Sequence, residues 1–337
     1  MTEVPRIAIV ITCFNYEAYV GRAIASVRAQ TVSDYELVVV DDGSTDGSWD
    51  VIARSGVRAC RIANGGQRAA CLHGLDQTRA PFVLFLDADD ELKPEALATI
   101  LPQLDGNVAK LQYSLTRIAA DGTVLGARYP ALPRFRDSGA LAARVLATGV
   151  YQSPPTSGNV FRRDLCDVLR DAGYEPAVDG VILFAAPFLG DVVSLDEDLA
   201  LYRVHDRNDS GLGRAPEPRV LQRDLDRFLQ RMAHLRTIVA RHRPGAALVE
   251  PRRTFYFQTS SFALAIASGR RPGLGDGLRL VATLASEPAR LRGRLAVVAL
   301  YLATILASRR RAQKLLAYRF GVGRRSLGGL IRAAVFP

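Results

Sequence analysis

The chain has 337 residues, 48% hydrophobic and 23% charged, which gives room for about two domains at roughly 150 residues each and excludes a disordered or collagen-like polypeptide. Its net charge of +10 is uneven: from Arg270 to Pro337 there are 14 Arg or Lys against two acids, Asp276 and Glu287, so the preceding residues sum to −2. Four cysteines without a CxxC pair exclude a disulfide framework or a zinc ribbon and fit a reducing compartment.

The first apolar run follows Glu3, lacks a basic region and ends within a few residues. It reads as a strand and not as a signal peptide. Ile7 to Thr12 is fully apolar apart from its last residue, as in a parallel strand buried on both faces. Ala18 to Gln30 is amphipathic through Val20, Ile24 and Val27. Glu36 to Asp41 is the next strand, and Asp46 is placed to cap a helix through Val51 and Ile52. Val57 to Ile62, Gln67 to Thr78 and Phe82 to Asp87 continue as strand, helix, strand, and Pro94 suits the first turn of a following helix. This rhythm predicts an α/β fold with a mostly parallel, doubly wound sheet. Ligands bind such sheets at the C-terminal strand ends.

Farther on, Val108 to Ala119, Asp121-Gly122 and Val124-Leu125 suggest a hairpin. Ser157 to Arg162 is a strand, followed by helices over Arg163–Asp171 and Asp179–Leu189 and strands over Val192–Leu195 and Leu199–His205. From Pro218 the pattern is helical, broken at Arg243-Pro-Gly, Arg271-Pro-Gly and Glu287-Pro. We divide the chain into 1–212, carrying the site, and a basic helical region, 213–337.

Three polar clusters fall at strand ends: Thr12-Cys-Phe-Asn15, Asp41-Asp-Gly-Ser-Thr-Asp46 and Asp87-Ala-Asp-Asp90. Crowded carboxylates repel one another unless a cation joins them. On an extended segment Asp87 and Asp89 would point to the same side. Oxygen ligands completed by water and phosphate suit Mg²⁺ or Mn²⁺. A lone DxD is common, however, and by itself it is better explained as a helix cap with a solvated turn.

In combination the clusters are specific. Val10-Ile-Thr-Cys-Phe-Asn-Tyr16, Glu36-Leu-Val-Val-Val-Asp-Asp-Gly-Ser-Thr-Asp46, Asn64-Gly-Gly, Phe85-Leu-Asp-Ala-Asp-Asp90, Ser157-Gly-Asn-Val-Phe-Arg-Arg163 and Tyr202-Arg-Val-His205 occur in the order found in family 2 glycosyltransferases. From about Pro5 to Ser210 the chain resembles that family. The resemblance implies a GT-A fold, a nucleotide-diphosphate sugar donor with UDP expected, and inverting transfer assisted by Mn²⁺ or Mg²⁺. Thr12, Phe14, Asn15, Asp41, Asp42, Asn64, Gly66, Arg68, Asp87 and Ala88 would line the donor. Asp89 and Asp87, with His205, would hold the metal. Gly158 and Asn159 would face the acceptor. Arg203 or Arg207 could pair with phosphate oxygens, although a lone His after a strand is usually a satisfied polar residue.

The chain departs from the family pattern within Asn64-Gly-Gly-Gln-Arg-Ala-Ala-Cys-Leu-His-Gly74. Cys71 and Leu72 stand where Arg and Asn are usual. Arg68, one turn earlier, shares a helical face and could supply the charge. Cys71 reads as a packed residue and His73 as a helix-surface one.

Inverting transfer needs a carboxylate to take the acceptor proton. The resemblance places it in Pro176-Ala-Val-Asp179-Gly, so Asp179 is the candidate base, with a helix cap as its alternative role. Val178 replaces the Glu often found beside it. Asp191, Asp196, Glu197 and Asp198 fit loop or strand-edge charges better.

Leu295 to Ser308 is uncharged and flanked by Arg290, Arg292, Arg294 and by Arg309-Arg-Arg311. At about 1.5 Å per residue it is shorter than the roughly 30 Å hydrocarbon core. It suits an interfacial helix among anionic headgroups or a helix of a small bundle. The interfacial reading implies a glycan or lipid-linked acceptor, with the protein peripheral on the inner face of the cytoplasmic membrane. No RNP or zinc-finger pattern points to nucleic acid. Transfer to a polyprenyl phosphate and non-catalytic nucleotide-sugar binding are the competing functions. A dehydrogenase is disfavoured because no G-x-G-x-x-G follows the first strand.

Overall fold

The computed structural model describes residues 4–205, 217–284 and 291–320. The opening alternation is as expected: β1 (Ile7–Cys13), α1 (Val20–Arg28), β2 (Tyr35–Asp41), α2 (Ser48–Arg54), β3 (Ala59–Arg61), α3 (Gln67–Asp76) and β4 (Phe82–Asp87). β1 is buried at every residue, because helices cover both faces of the sheet. Ile7, Ile9 and Ile11 pack with Val20, Ile24 and Val27 of α1 and Ile52 of α2. On the other face α3 lies so close that a Cβ on Gly74 would sit 2.3 Å from Val10 Cγ1.

The chain continues through β5 (Glu91–Leu92), α4 (Ala96–Ile100), β6 (Val108–Ala119), β7 (Val124–Tyr129), β8 (Phe135–Asp137), α5 (Gly139–Thr148), β9 (Asn159–Arg162), α6 (Val181–Leu189) and β10 (Asp191–Val204). Among the described residues one mixed sheet runs β3-β2-β1-β4-β9-β6-β10-β5, with β7 beside β6 and β8 beside β10. Its β3-β2-β1-β4 part is parallel, and β9 joins β4 and β6 antiparallel to both.

Several elements differ from expectation. β10 is one strand where two were expected, with a register shift between Ser194 and Asp198. Arg163–Leu169 is a 3-10 helix. β8 and α5 escaped sequence reading. β8 has only three residues, and its Arg136 bridges Asp105 and Asp191, each at 2.7 Å. Such ion pairs leave no periodicity in the sequence.

β6 alternates as a half-exposed strand would. Leu111, Tyr113 and Leu115 face the core, yet Lys110, Gln112 and Ser114 on the other face are also fully buried. The Lys110 amine donates to Gln112 Oε1 (2.9 Å), Tyr151 Oη (3.1 Å) and Ser153 Oγ (2.7 Å). Burial holds it well below the usual lysine value. The unfolded chain takes up that proton near pH 10.4, so between the two values folding releases a proton and stability rises with pH. Relative to Lys110→Met, the wild type should gain up to about 1.4 kcal/mol per pH unit within that window. Urea denaturation of both proteins from neutral pH to pH 10 checks this. A constant difference would show that the amine stays charged.

The chain divides into two compact units. One comprises Met1–Val145, Val150–Asp206 and His234–Ala246, and the other Leu146–Gly149, Arg207–Ala233 and Ala247–Pro337. The sheet lies in the first. The helices that follow are α7 (Pro218–His242), which contributes to both units, α8 (Phe255–Ala267), α9 (Leu274–Leu284), α10 (Leu291–Leu306) and α11 (Arg309–Phe320). Phe262, Ala263, Ile266, Leu280, Tyr301, Ala312 and Leu316 form the core of the second unit. Thr254 caps α8 by accepting from Phe257 N at 3.2 Å. The breaks expected at Arg243-Pro-Gly and Arg271-Pro-Gly fall between helices. The one at Glu287-Pro lies outside the described residues. Among the described residues no helix is long and apolar enough to cross a membrane.

Candidate functional site

Parallel register sets Cys13 opposite Asp41 and Thr12 opposite Asp87. The loops after β1, β2 and β4 therefore emerge on one edge of the sheet, where open α/β sheets take ligands. Asn15, at φ +60°, binds the first two loops together. Its backbone N–H donates to Ser44 Oγ at 2.9 Å, and its side-chain oxygen accepts from the Thr45 N–H at 2.8 Å. Asp42 secures the third loop, since its carboxylate accepts from Gly65 N (2.8 Å) and Gly66 N (2.9 Å). Gly43, at φ +72°, permits this approach, because a Cβ there would lie 2.8 Å from Asn64 N.

Asp41 is fully buried. Its Oδ2 accepts from Arg61 Nε at 3.0 Å and from Ser44 N at 3.3 Å. Its Oδ1 has no hydrogen-bond partner among the described residues. Of the two acids considered for the nucleoside, Asp42 is spent on the glycine loop and Asp41 keeps an open acceptor. Phe14 and Asn64 are exposed, Thr12 is nearly buried and Ala88 fully so. Ala88, expected to line the donor, is therefore sealed inside and packs in the core.

The DxD segment corrects the extended-strand argument. β4 ends at Asp87, and the Asp90 N–H donates to the Asp87 carbonyl at 3.0 Å, which closes a turn. The two carboxylates then take different partners. Asp87 N–H donates to Ser157 Oγ at 3.1 Å, and Asp87 Oδ1 accepts from Gln67 Nε2. Asp89 Oδ2 lies 2.9 Å from His205 Nε2, with both side chains 7% exposed. Tyr19 stacks on His205 at 5.3 Å and 17°, and Tyr16 meets its edge at 5.7 Å. Asp90 is buried and accepts from Arg203 N at 2.9 Å. Burial first, then the nearby Asp89 and Asp87 charges, push its carboxyl well above the usual range.

Arg203 is not positioned for phosphate. Its guanidinium is wholly buried and donates to the carbonyls of Asp89 (3.0 Å), Ala119 (3.2 Å) and Ala120 (3.0 Å) and to Glu91 Oε1. Arg207 lies outside the described residues. Among those described, no three His, Cys, Asp or Glu side chains gather as a metal-holding group. The donors that do converge are one carboxylate, Asp89, and one imidazole, His205. A carboxylate beside an imidazole is a donor set that fits Mn²⁺ better than Mg²⁺, which prefers oxygen alone.

The α3 N-terminus carries the segment of the candidate base. Arg68 N donates to the Pro176 carbonyl at 2.9 Å, and Val178 N donates to Gln67 Oε1 at 3.4 Å. Gln67 thus touches both Asp87 and the residue before Asp179, a link the sequence did not reveal. Asp179 is exposed. Asp179 immediately precedes Gly180, the capping position of α6. Glu175, also missed, is buried beneath this turn, and a Cβ on Gly180 would lie 2.7 Å from its Cδ.

Other expected residues have structural duties. Arg68 Nη1 donates to the Leu169 carbonyl at 2.9 Å. Gly158 and Asn159, expected at the acceptor, are internal. The Asn159 carboxamide is fully buried and donates to the Pro155 carbonyl at 2.8 Å, while Gly158 is pressed against Pro154 and Leu115. They order the turn into β9. Cys71 is buried, and burial raises its thiol well above the usual range, as a packed residue would behave. Asp191 pairs with Arg136, Asp196 and Glu197 with Arg134, and Asp198 with Lys93.

Residues 8–148 match the sequence profile of the family described as Glycosyl transferase family 2. An uncharacterized glycosyltransferase of Nostoc sp. is 36% identical over 214 residues, which is 60% of this chain and 66% of that protein. The GalNAc(5)-diNAcBac-PP-undecaprenol beta-1,3-glucosyltransferase of Campylobacter jejuni is 31% identical over 112 residues, or 31% of this chain and 36% of that protein. The chain thus spans two thirds or less of these curated relatives. The crystal structure of S. aureus TarS 1-349 in complex with UDP-GlcNAc superposes with a TM-score of 0.50 at 16% identity, covering 98% of this chain and 89% of that one. At that identity the likeness speaks for the fold.

Proposed function

From the match of residues 8–148 to the profile of glycosyl transferase family 2, we propose that the chain is an inverting glycosyltransferase using a nucleotide-diphosphate sugar, with UDP as the nucleotide. The acceptor is a hydroxyl of a polysaccharide or glycolipid met at the inner face of the cytoplasmic membrane. The observation that carries the reading is Gln67, which holds both Asp87 and the segment of Asp179. A strand-end carboxylate of the donor side and the segment of the candidate base are thereby supported by one side chain.

The acceptor oxygen attacks the anomeric carbon, the bond from that carbon to the diphosphate oxygen breaks, and the Asp179 carboxylate takes the acceptor proton. Asp41, with its open Oδ1, suits an N–H or hydroxyl of the nucleoside. Asp89 and His205 would hold a divalent cation, which neutralises charge on the leaving diphosphate.

Calorimetric titration of UDP, GDP, dTDP and CDP, with and without Mn²⁺, tests the site. One nucleotide, expected to be UDP, should bind with Mn²⁺. Asp89→Ala should weaken that binding at least about tenfold, or 1.4 kcal/mol. If none of the nucleotides binds the folded protein, the reading fails.

A further inference from the structure

We infer that the α9–α10 edge of the second unit is a docking surface for an anionic lipid bilayer. This deepens the reading that the acceptor is met at a membrane face, and it identifies the residues that would meet it.

The apolar run of α10 is neither wholly buried nor wholly laid open. Tyr301 and Thr304 are buried, and the Tyr301 ring packs edge-on against Phe262 at 4.7 Å. The opposite side carries Leu302, 48% exposed, and Leu306, 80% exposed, four residues apart on one face. α9 adds Leu278, 72% exposed, and Val281, 40% exposed. The two helices touch closely here, since a Cβ on Gly277 would lie 2.7 Å from Ile305 Cδ1. Leu278 and Leu306 each follow one of those contact residues in sequence, so both exposed leucines lie beside the α9–α10 seam.

Cations frame this edge. Arg270, Arg271, Arg279, Arg310, Arg311 and Lys314 are exposed. Arg271 Nη2 donates to the Ala307 carbonyl at 3.2 Å, which holds its guanidinium beside Leu306. From Arg270 to Phe320 the sequence has only two acids, Asp276 and Glu287. Exposed leucines within a basic rim suit a surface that is apolar inside and anionic outside, and a lipid leaflet is both. Nucleic acid would answer the arginines but leave the leucines in water.

The full chain should sediment with vesicles of phosphatidylcholine containing phosphatidylglycerol, and far less with phosphatidylcholine alone. Added salt should weaken the association. Two double variants, Leu278→Ser with Leu306→Ser and Arg310→Glu with Arg311→Glu, should each lower partitioning about tenfold or more. All four residues are exposed, so the circular dichroism of both variants should match wild type. The proposal is overturned if wild type stays in the supernatant or if both variants sediment undiminished. It is equally overturned if the chain dimerises without lipid and the leucine variant abolishes the dimer. Vesicle binding requires no nucleotide, so a chain that binds vesicles and no nucleotide refutes the transferase reading alone.

Discussion

Asp179→Asn is expected to lower turnover by about 10²–10⁴-fold while nucleotide affinity and folding stability stay at wild-type values. The carboxamide keeps the shape of the side chain and loses the ability to take a proton. Folding should be little affected, because the side chain is exposed and the carboxamide keeps an oxygen that can still accept a hydrogen bond. The Pro176 carbonyl and Val178 amide that anchor the segment are backbone groups, which the substitution leaves in place. Nucleoside diphosphate released in the presence of acceptor, measured beside a nucleotide titration and a thermal melt, separates the three effects. Undiminished turnover would remove Asp179 from the mechanism. It would point to an acceptor that is already ionised, such as a phosphate, which needs no base.

Arg203→Met should cost the first unit about 3–5 kcal/mol of stability, the range for breaking a buried charged contact from one side. The methionine fills much of the volume but removes the Arg203 donor from the Asp89 and Ala120 carbonyls, leaves Ala119 with the Gly122 N–H alone, and leaves Glu91 without its cation. The damage should reach the site, because Arg203 also faces the Tyr19 ring at 5.0 Å, and that ring stacks on His205. Urea denaturation gives the stability change. The comparison is Arg170→Met: Arg170 is an exposed partner of Asp76 and Asp167, and its loss should cost about 1 kcal/mol or less. Equal costs for the two variants would show that the buried guanidinium contributes no more than a surface ion pair.

Sequence periodicity located the parallel half of the sheet, because two-sided burial leaves continuous apolar runs such as Ile7–Ile11. The acid-ended strands were legible for the same reason: nothing in the core calls for Asp41 or Asp87. The division of labour among those acids was not legible. Asp42 and Asn15 look like ligand groups on paper, yet both serve as clamps between loops. Asp87 and Asp89 are separated by a turn, which spacing alone does not distinguish from an extended step. Gln67 reads as an ordinary first-turn helix residue, since its two partners are 20 and 111 positions away. Arg203 reads as a phosphate partner because it sits at a strand end beside His205, whereas local carbonyls and Glu91 satisfy it inside.

The sealed polar row on β6 bears on how the sheet is assembled. β6 pairs with β9, β7 and β10, so its alignment sets that of three other strands. A slip of one residue would turn every side chain to the opposite face. Lys110, Gln112 and Ser114 would then enter the apolar cluster without partners, and Leu111, Tyr113 and Leu115 would meet Tyr151, Ser153 and Ser194, whose hydroxyl accepts from Gln112 Nε2 at 3.3 Å in the native register, in their place. An all-apolar β6 would pay far less for that error. The buried lysine, costly to the native state at neutral pH, is thus costlier still to its misthreaded competitor, and the gap between the two protects the order of the sheet.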